Sequence, residues 1–267
     1  MQIRTPDIDF SGVDAIWAPA NPGFGHRYDG ASILLPYLEP YLIKVMRDAQ
    51  KKLKKSGLDT DKINKDIDLF NKQEGQHYQL HTRYNSYLKE YYPGLEDFEK
   101  QIKTDFERMY REESLEFNIG YSVGFETIGP ISTGLWFTLA KEARAGSDPN
   151  VDALWSWHLA EEFEHRHVAH EVYQALGIGW RFRQKMFSYQ AKHLGDFSAR
   201  VIEYMMEEDH RTGRFSLVES LKLWQQFKRR FALHAFPKML SVAMPWHNPV
   251  NAKVPKESLE ALKRFSR

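Results

Sequence analysis

The sequence predicts an all-α protein, and two observations support this prediction. Apolar residues recur every three to four positions over most of the chain, as in SILLPYLEPYLIKVMRDAQKKLKK at residues 32–55, which is the period of an amphipathic helix. No stretch shows strand-like alternation between turn signals, and no repeat or low-complexity tract stands out. We therefore expect a single helical domain over residues 1–267, a bundle with additional helices around its core.

Proline and glycine divide the chain into its predicted elements. Both are dense in residues 1–30, which predicts an extended arm lying on the body. Pro237 ends the last predicted helix, so residues 237–267 should be mostly irregular, with a short helix near 255–266. Helix start and stop signals predict the other helices at about residues 32–55, 60–91, 95–145 with a candidate break at 120–134, 150–176, 181–210 and 216–236.

Composition restricts the chemistry and the partners of the chain. Lys and Arg number 37 against 36 Asp and Glu, a net charge of +1 that does not favour nucleic acid. Because there is no cysteine, disulfides and thiolate metal sites are excluded, and any metal must be held by His, Asp or Glu. The opening residues MQIRTPDIDF lack a signal-peptide apolar run, and no stretch reaches the roughly 18 apolar residues of a membrane span. We therefore expect a cytoplasmic protein.

The segment WSWHLAEEFEHRHVAHEVY, residues 155–173, is the strongest candidate for chemistry. At about 100° per residue, His158, Glu162 and His165 lie within roughly 60° of one another on a helix face. Apolar residues flank this stripe, and a carboxylate inside an apolar face needs a partner or a metal. Glu161 lies beside the stripe and is expected to support a ligand. The alternative is an ordinary charged face in water.

A second Glu-x-x-His motif occurs in FNKQEGQHYQLHTRYN, residues 70–85, as Glu74 and His77. His81 follows one helical turn later, on the same stripe. It is therefore either a hydrogen-bond partner of a ligand carboxylate or a ligand itself.

Two Glu-x-x-His helices, with one more glutamate from each of two other helices, form the dinuclear metal site of ferritin-like bundles. Glu39 in LLPYLEPYLI and Glu126 in FNIGYSVGFETIGPISTGLWF occupy the required places in the order of the chain. Each is the only acidic residue in its apolar stretch. Glu39 could instead form a cap or salt bridge at a kinked helix end, and Glu126 could pair with an arginine. The order of all four segments predicts one dinuclear site.

The strings FNKQEGQHYQLH and WHLAEEFEHRHVAHEVY, with the LP..E stretch before them, resemble a bacterial family known as predicted metal-dependent hydrolases. This resemblance extends over most of the chain and implies a ferritin-like fold. The spacing of His158, Glu162 and His165 is also similar to the ligand helix of the diiron arylamine N-oxygenases. That similarity implies that His158 is a seventh ligand.

These residues favour an enzyme that binds two divalent metal ions, with iron expected and a Mn/Fe pair or zinc as alternatives. The leading hypothesis is an oxidase or oxygenase that uses O₂ to oxidise a small organic substrate, with an electron donor that the sequence does not identify. One alternative is a dinuclear metal-dependent hydrolase. Another is a non-enzymatic ferroxidase or metal-binding bundle. A homodimer is left open, since no sequence feature demands one.

Overall fold

The computed structural model describes residues 1–57 and 59–266. Those residues contain helices and loops and no β-strand, so the prediction of an all-α fold is confirmed. The α-helices are α1 (Pro22–Lys54), α2 (Asp61–Tyr91), α3 (Leu95–Glu112), α4 (Leu115–Thr138), α5 (Pro149–His165), α6 (Val168–Ala175), α7 (Trp180–Arg211), α8 (Leu217–Val242) and α9 (Lys256–Arg264). A short 3₁₀ helix, Pro249–Asn251, precedes α9.

Four of these helices surround the candidate site. Helix α1 packs against α2 and α4, and α5 packs against the same two helices, so each of the four contacts two others. Helix α7 packs on α1 and α4, and α8 contacts α1, α4 and α7. No helix in the described part of the chain is both long enough and apolar enough to cross a membrane.

The predicted arm of residues 1–30 is too long, because α1 begins at Pro22. Asn21 caps the helix by accepting a hydrogen bond from the Phe24 amide at 3.0 Å, and proline suits the first helical position. The glycines in this region permit close packing. A Cβ atom on Gly23 would lie 2.6 Å from the Trp224 Cβ atom of α8. Only residues 1–21 form the non-helical arm.

The helix break predicted at residues 120–134 does not occur there, because α4 is continuous over these residues. The chain leaves the helix between α3 and α4, where Ser114 caps α4 by accepting from the Phe117 amide at 3.1 Å. The glycines of α4 are helical and permit close approach of neighbouring helices. A Cβ atom on Gly120 would lie 2.6 Å from Met186 Cγ of α7. The predicted 150–176 helix is also interrupted, between α5 and α6.

The irregular tail predicted from residue 237 begins later, because α8 continues through Pro237 to Val242. Proline cannot donate to the carbonyl four residues earlier, that of Leu233. Leu233 is exposed, so water can take the place of the missing donor. Helix α9 lies where the sequence predicts a short helix near residues 255–266.

Pro36 lies inside α1 and leaves the Ser32 carbonyl without its usual helical donor. Asn85 of α2 replaces that donor, since its Nδ2 atom donates to the Ser32 carbonyl at 2.8 Å. The Ser32 hydroxyl in turn donates to Asn85 Oδ1. The proline therefore creates a polar link between α1 and α2 beside the candidate site.

A separate buried network joins α1 to α7, and we call it the His26 network. His26 Nδ1 lies 3.3 Å from Asp29 Oδ2, and His26 Nε2 lies 2.7 Å from Asp209 Oδ2. The other oxygens also have donors: Asp29 Oδ1 accepts from Trp17 Nε1 and Tyr84 OH, and Asp209 Oδ1 accepts from Tyr92 OH and Arg214 Nη1. Each buried carboxylate oxygen in this network therefore has a hydrogen-bond partner.

Candidate metal centre

The helices around the site bring the predicted ligands together in one buried cluster, which we call the centre. Its members are Glu39 on α1, Glu74 and His77 on α2, Glu126 on α4, and His158, Glu162 and His165 on α5. None of these residues is more than 2% exposed. The centre thus joins residues that are far apart in the sequence, since Glu39 and His165 are separated by 126 positions.

One half of the centre, the His77 group, contains Glu39, His77, His158 and Glu162. One potential ligand atom from each lies within 4.8 Å of the others. His77 Nδ1 is 4.0 Å from Glu39 Oε1 and 3.7 Å from Glu162 Oε1. His158 Nε2 is 3.5 Å from the same Glu162 oxygen. These separations leave room for one cation among the four side chains.

The other half, the His165 group, is formed around His165 Nε2. This atom lies 3.2 Å from Glu74 Oε1, 3.4 Å from Glu126 Oε2 and 3.5 Å from Glu162 Oε2. Glu162 therefore directs one oxygen into each half of the centre. The absence of a side chain at Gly129 of α4 leaves space for the Glu162 carboxylate. A Cβ atom at position 129 would lie only 3.0 Å from Glu162 Oε2.

The centre leaves many buried polar atoms without hydrogen-bond partners in the described part of the chain. Both carboxylate oxygens are unpartnered in Glu39, Glu74, Glu126 and Glu162. The inward nitrogens His77 Nδ1 and His165 Nε2 are also unpartnered. Burying such groups without partners costs several kcal/mol. Divalent cations would satisfy this donor set, so the residues fit a metal site.

The outward nitrogens of two histidines have partners that orient the rings. His77 Nε2 donates to Glu161 Oε2 at 3.2 Å, because a carboxylate oxygen can only accept. His165 Nδ1 lies 3.2 Å from Gln73 Oε1 and donates to it. His77 Nδ1 and His165 Nε2 then face the centre, and each can bind a metal ion through its lone pair once it has released its proton.

The N-terminal arm reinforces these outer contacts through Arg4. Arg4 Nη1 donates to Glu161 Oε1 at 2.9 Å and to Glu164 Oε2 at 3.1 Å. Gln73 Nε2 donates to the same Glu164 oxygen at 2.7 Å. Neither Arg4 nor Gln73 was predicted from the sequence to belong to the site. Gln73 precedes Glu74 directly, which is a weak signal, whereas nothing local connects Arg4 to α5.

His81 lies beside the centre and contacts it through His158. Its Nδ1 atom is 2.8 Å from the Ser32 hydroxyl, and its ring centroid is 4.9 Å from that of His158. Burial, with His158 and His77 nearby, lowers the pKa of His81 well below its ordinary value. The structure thus places His81 as a neutral side chain packed against a predicted ligand.

The carboxyl groups of the centre affect one another strongly. Burial, followed by repulsion from Glu74, raises the pKa of Glu39 well above its ordinary value. Burial and Glu162 do the same to the pKa of Glu126. Burial opposes ionisation of Glu162 too, but His165 and the other imidazoles lower its pKa to about 2. Cations among these groups would relieve the repulsion between the carboxylates.

Residues 2–253 match the sequence model of the family described as predicted metal-dependent hydrolase. The chain belongs to this family. The match confirms the family resemblance found in the sequence, whereas the similarities to ferritin-like proteins and N-oxygenases remain predictions. Comparisons with curated proteins and with solved structures found no match.

This member of the metal-dependent hydrolase family has a further group of potential ligands, Asp66, His167 and Glu171. It is partly exposed, and Lys62 Nζ already lies 2.8 Å from Asp66 and 3.2 Å from Glu171. The lysine supplies the positive charge there, so the group needs no metal.

A cavity of about 640 Å³ adjoins the centre and reaches it at His158 and Glu162. Its lining residues come from α1, α4, α5, α7 and α8, and most of them are apolar. It opens beside exposed residues of α7 and α8, including Glu203 and Lys228. A cavity of this volume lies within the usual range for small-molecule sites, about 300–1,000 Å³.

Proposed function

We propose that this protein binds two divalent metal ions in the centre and uses O₂ to oxidise a small organic substrate. The observation that carries the proposal is the set of eight buried, unpartnered carboxylate oxygens facing three imidazoles. Four carboxylates balance the charge of two divalent cations. Glu162, with one oxygen in each half, is suited to bridge them.

The donor set together with the proposed reaction with O₂ favours iron, or a Mn/Fe pair, over zinc, because zinc does not change its oxidation state. Imidazole and carboxylate ligands without thiolates suit iron, manganese and zinc, and the ligand pattern is that of carboxylate-bridged pairs in helical bundles. A reduced iron pair would supply electrons for the reduction of O₂. Because the centre is buried and its cavity is largely apolar, the protein excludes bulk water from a reactive oxidant and orients the substrate at His158 and Glu162.

The reaction requires a reductant in addition to the residues of the centre. Hydroxylation of a C–H bond by O₂ forms one alcohol and one water, and it consumes two electrons and two protons from outside the substrate. We expect an external one-electron donor to supply these electrons. The family description suggests hydrolysis instead, and the same centre would hold two metal ions for either reaction.

Metal content and oxygen reactivity together test this proposal. Protein produced in iron-supplemented medium should contain about two iron ions per chain. After anaerobic reduction it should consume O₂ and develop a transient visible absorption band. Two zinc or manganese ions with no response to O₂ would support hydrolysis. Oxidation of many free Fe²⁺ ions per chain would support a ferroxidase, and absence of metal would contradict the proposal altogether.

A further inference from the structure

We infer that the cavity beside the centre binds an anionic amphiphile, an apolar chain whose carboxylate pairs with Arg27 and whose other end reaches the centre. That this ligand is the substrate rests on the proposed function, whereas its binding can be measured without any reaction.

The residues that line the cavity favour a ligand whose main part is apolar. Leu34 and Leu35 of α1, Phe125 and Ile128 of α4, and Leu194 and Ile202 of α7 all line the cavity. A chain that leaves water for these walls gains roughly 0.8 kcal/mol for each CH₂ group it buries. A small polar substrate would not gain this stabilisation and would leave most of the wall uncovered.

Arg27 supplies the charge that such a chain would need at one end. It lines the same cavity, is half-buried, and has a buried Nε atom with no hydrogen-bond partner in the described part of the chain. Its guanidinium carbon lies 4.8 Å from the ring centroid of Phe231. No described carboxylate forms an ion pair with Arg27, and Glu203 and Glu207 at the cavity mouth are exposed to water. A carboxylate from a ligand would pair with this guanidinium.

Helix α1 sets the length of the ligand. Arg27 and Glu39 are 12 positions apart on this helix, which corresponds to about 18 Å. Ala31, Leu34 and Leu35 lie between them on the cavity wall. Since a C–C bond of about 1.5 Å advances an extended chain by roughly 1.3 Å, about 14 carbons would span the full distance. About 10 to 14 carbons suffice, because the Arg27 side chain can cover part of it.

Helix α8 covers the outer side of the cavity. Six of its lining residues recur at helical spacing, namely Leu221, Trp224, Lys228, Phe231, Ala235 and Met239. One face of α8 therefore lies along the path of the chain from the cavity mouth. Phe231 on this face also contacts Arg27, which places the charged end of the ligand beneath α8.

The test is a binding titration with dodecanoate and dodecanol on the full-length protein as purified, under argon and below the micellar concentration. Both should bind the wild type. Arg27→Gln should weaken dodecanoate binding about tenfold or more, because a hydrogen-bonded charge is lost, and leave dodecanol binding unchanged. The control is Arg229→Gln, an exposed arginine of α8 outside the cavity lining, which should change neither. Failure to bind dodecanoate, or equal losses for both ligands in Arg27→Gln, would overturn the inference.

A second variant tests the path of the chain. Ala31→Phe adds a large side chain between Arg27 and the centre, so it should move the optimum from dodecanoate to a shorter acid such as octanoate. An unchanged chain-length optimum would also overturn the inference. If the purified protein retains no metal but still binds dodecanoate through Arg27, the proposed function is contradicted and the inference is not. Conversely, two bound irons and O₂ consumption without Arg27-dependent binding would contradict the inference alone.

Discussion

The centre and the His26 network contain similar residues, but their carboxylate oxygens differ in whether they have hydrogen-bond donors. Both are buried, and both combine histidine with carboxylates. In the His26 network, tyrosine, tryptophan and arginine donors satisfy the oxygens that His26 does not reach. In the centre, no described donor reaches any of the oxygens of Glu39, Glu74, Glu126 and Glu162.

Burial and residue type therefore do not by themselves indicate a metal site. A cluster whose polar atoms are paired within the protein is a structural network. A cluster whose lone pairs converge without donors is stabilised by a bound cation or, when no metal is present, by protons on its carboxyl groups. The two clusters should therefore respond differently to mutation and to pH.

The largest expected effect is the loss of metal from Glu162→Ala. Because Glu162 directs an oxygen into each half of the centre, its removal should leave neither half able to retain an ion through gel filtration. Elemental analysis should then find metal near background. Glu171→Ala, in the group that pairs with Lys62, is the matched control and should keep full metal content. Two ions retained by Glu162→Ala would refute the assignment of the centre.

Asp209→Asn should strongly destabilise the fold without affecting metal content. It removes the charge that His26 and Arg214 face in a buried network, and breaking such a pair costs about 3–5 kcal/mol. Urea unfolding of metal-free protein measures this loss. A change below about 1 kcal/mol would show that the His26 network contributes little to stability.

The His26 network should also make stability depend on pH. Burial by itself would lower the pKa of His26. The hydrogen bonds to Asp209 and Asp29 outweigh burial, so the pKa rises to about 9. Because the folded pKa lies above the unfolded value of 6.5, the protonated histidine stabilises the fold fully below about pH 6.5. This contribution, about 3 kcal/mol at most, should disappear as the pH rises through 9. Unfolding curves from pH 6 to 10 would test it, and His26→Gln should lack this decline.

Glu161→Gln should weaken metal binding without removing a ligand. The amide keeps the shape of the side chain but loses the charge that holds His77 Nε2 and Arg4. Loss of such an outer contact typically lowers metal affinity about 10- to 100-fold. Competition with a chromophoric chelator measures this change. An unchanged affinity would mean that Glu161 does not orient His77.

The smallest expected effect is that of Glu39→Gln on the stability of chelator-treated protein. Its carboxyl group has a pKa well above the ordinary value through burial and Glu74, so a neutral amide should be tolerated. The free energy of unfolding should change by less than about 1 kcal/mol or increase. A loss as large as that of Asp209→Asn would remove the contrast between the two clusters.

Local patterns predicted the helical fold and the composition of the centre. Helical spacing placed His158, Glu162 and His165 on one face, and the structure brings all three together with Glu39, Glu74, His77 and Glu126. Helix ends at strong signals, such as Tyr91 before Pro93, were also predictable. These features depend on residues close in sequence, so periodicity and chain breakers reveal them.

Features that depend on distant partners were not predictable. Gly23 and Gly120 looked like breakers because the side chains packed against them, Trp224 and Met186, lie far away in sequence. Arg4 likewise contacts Glu161 only after the arm docks on α5. In each case the two residues in contact are more than 60 positions apart in the sequence, as Gly120 and Met186 are.

The arm supports the centre from outside the four helices that surround it. It provides none of the predicted ligands, yet Arg4 neutralises Glu161, and the Gln2 carbonyl accepts from Gln73, the partner of His165. An arm detached from the bundle would leave every predicted ligand in the chain but would remove both of these supports. Metal retention should then fall, so we expect the metal content and the local order of this segment to change together.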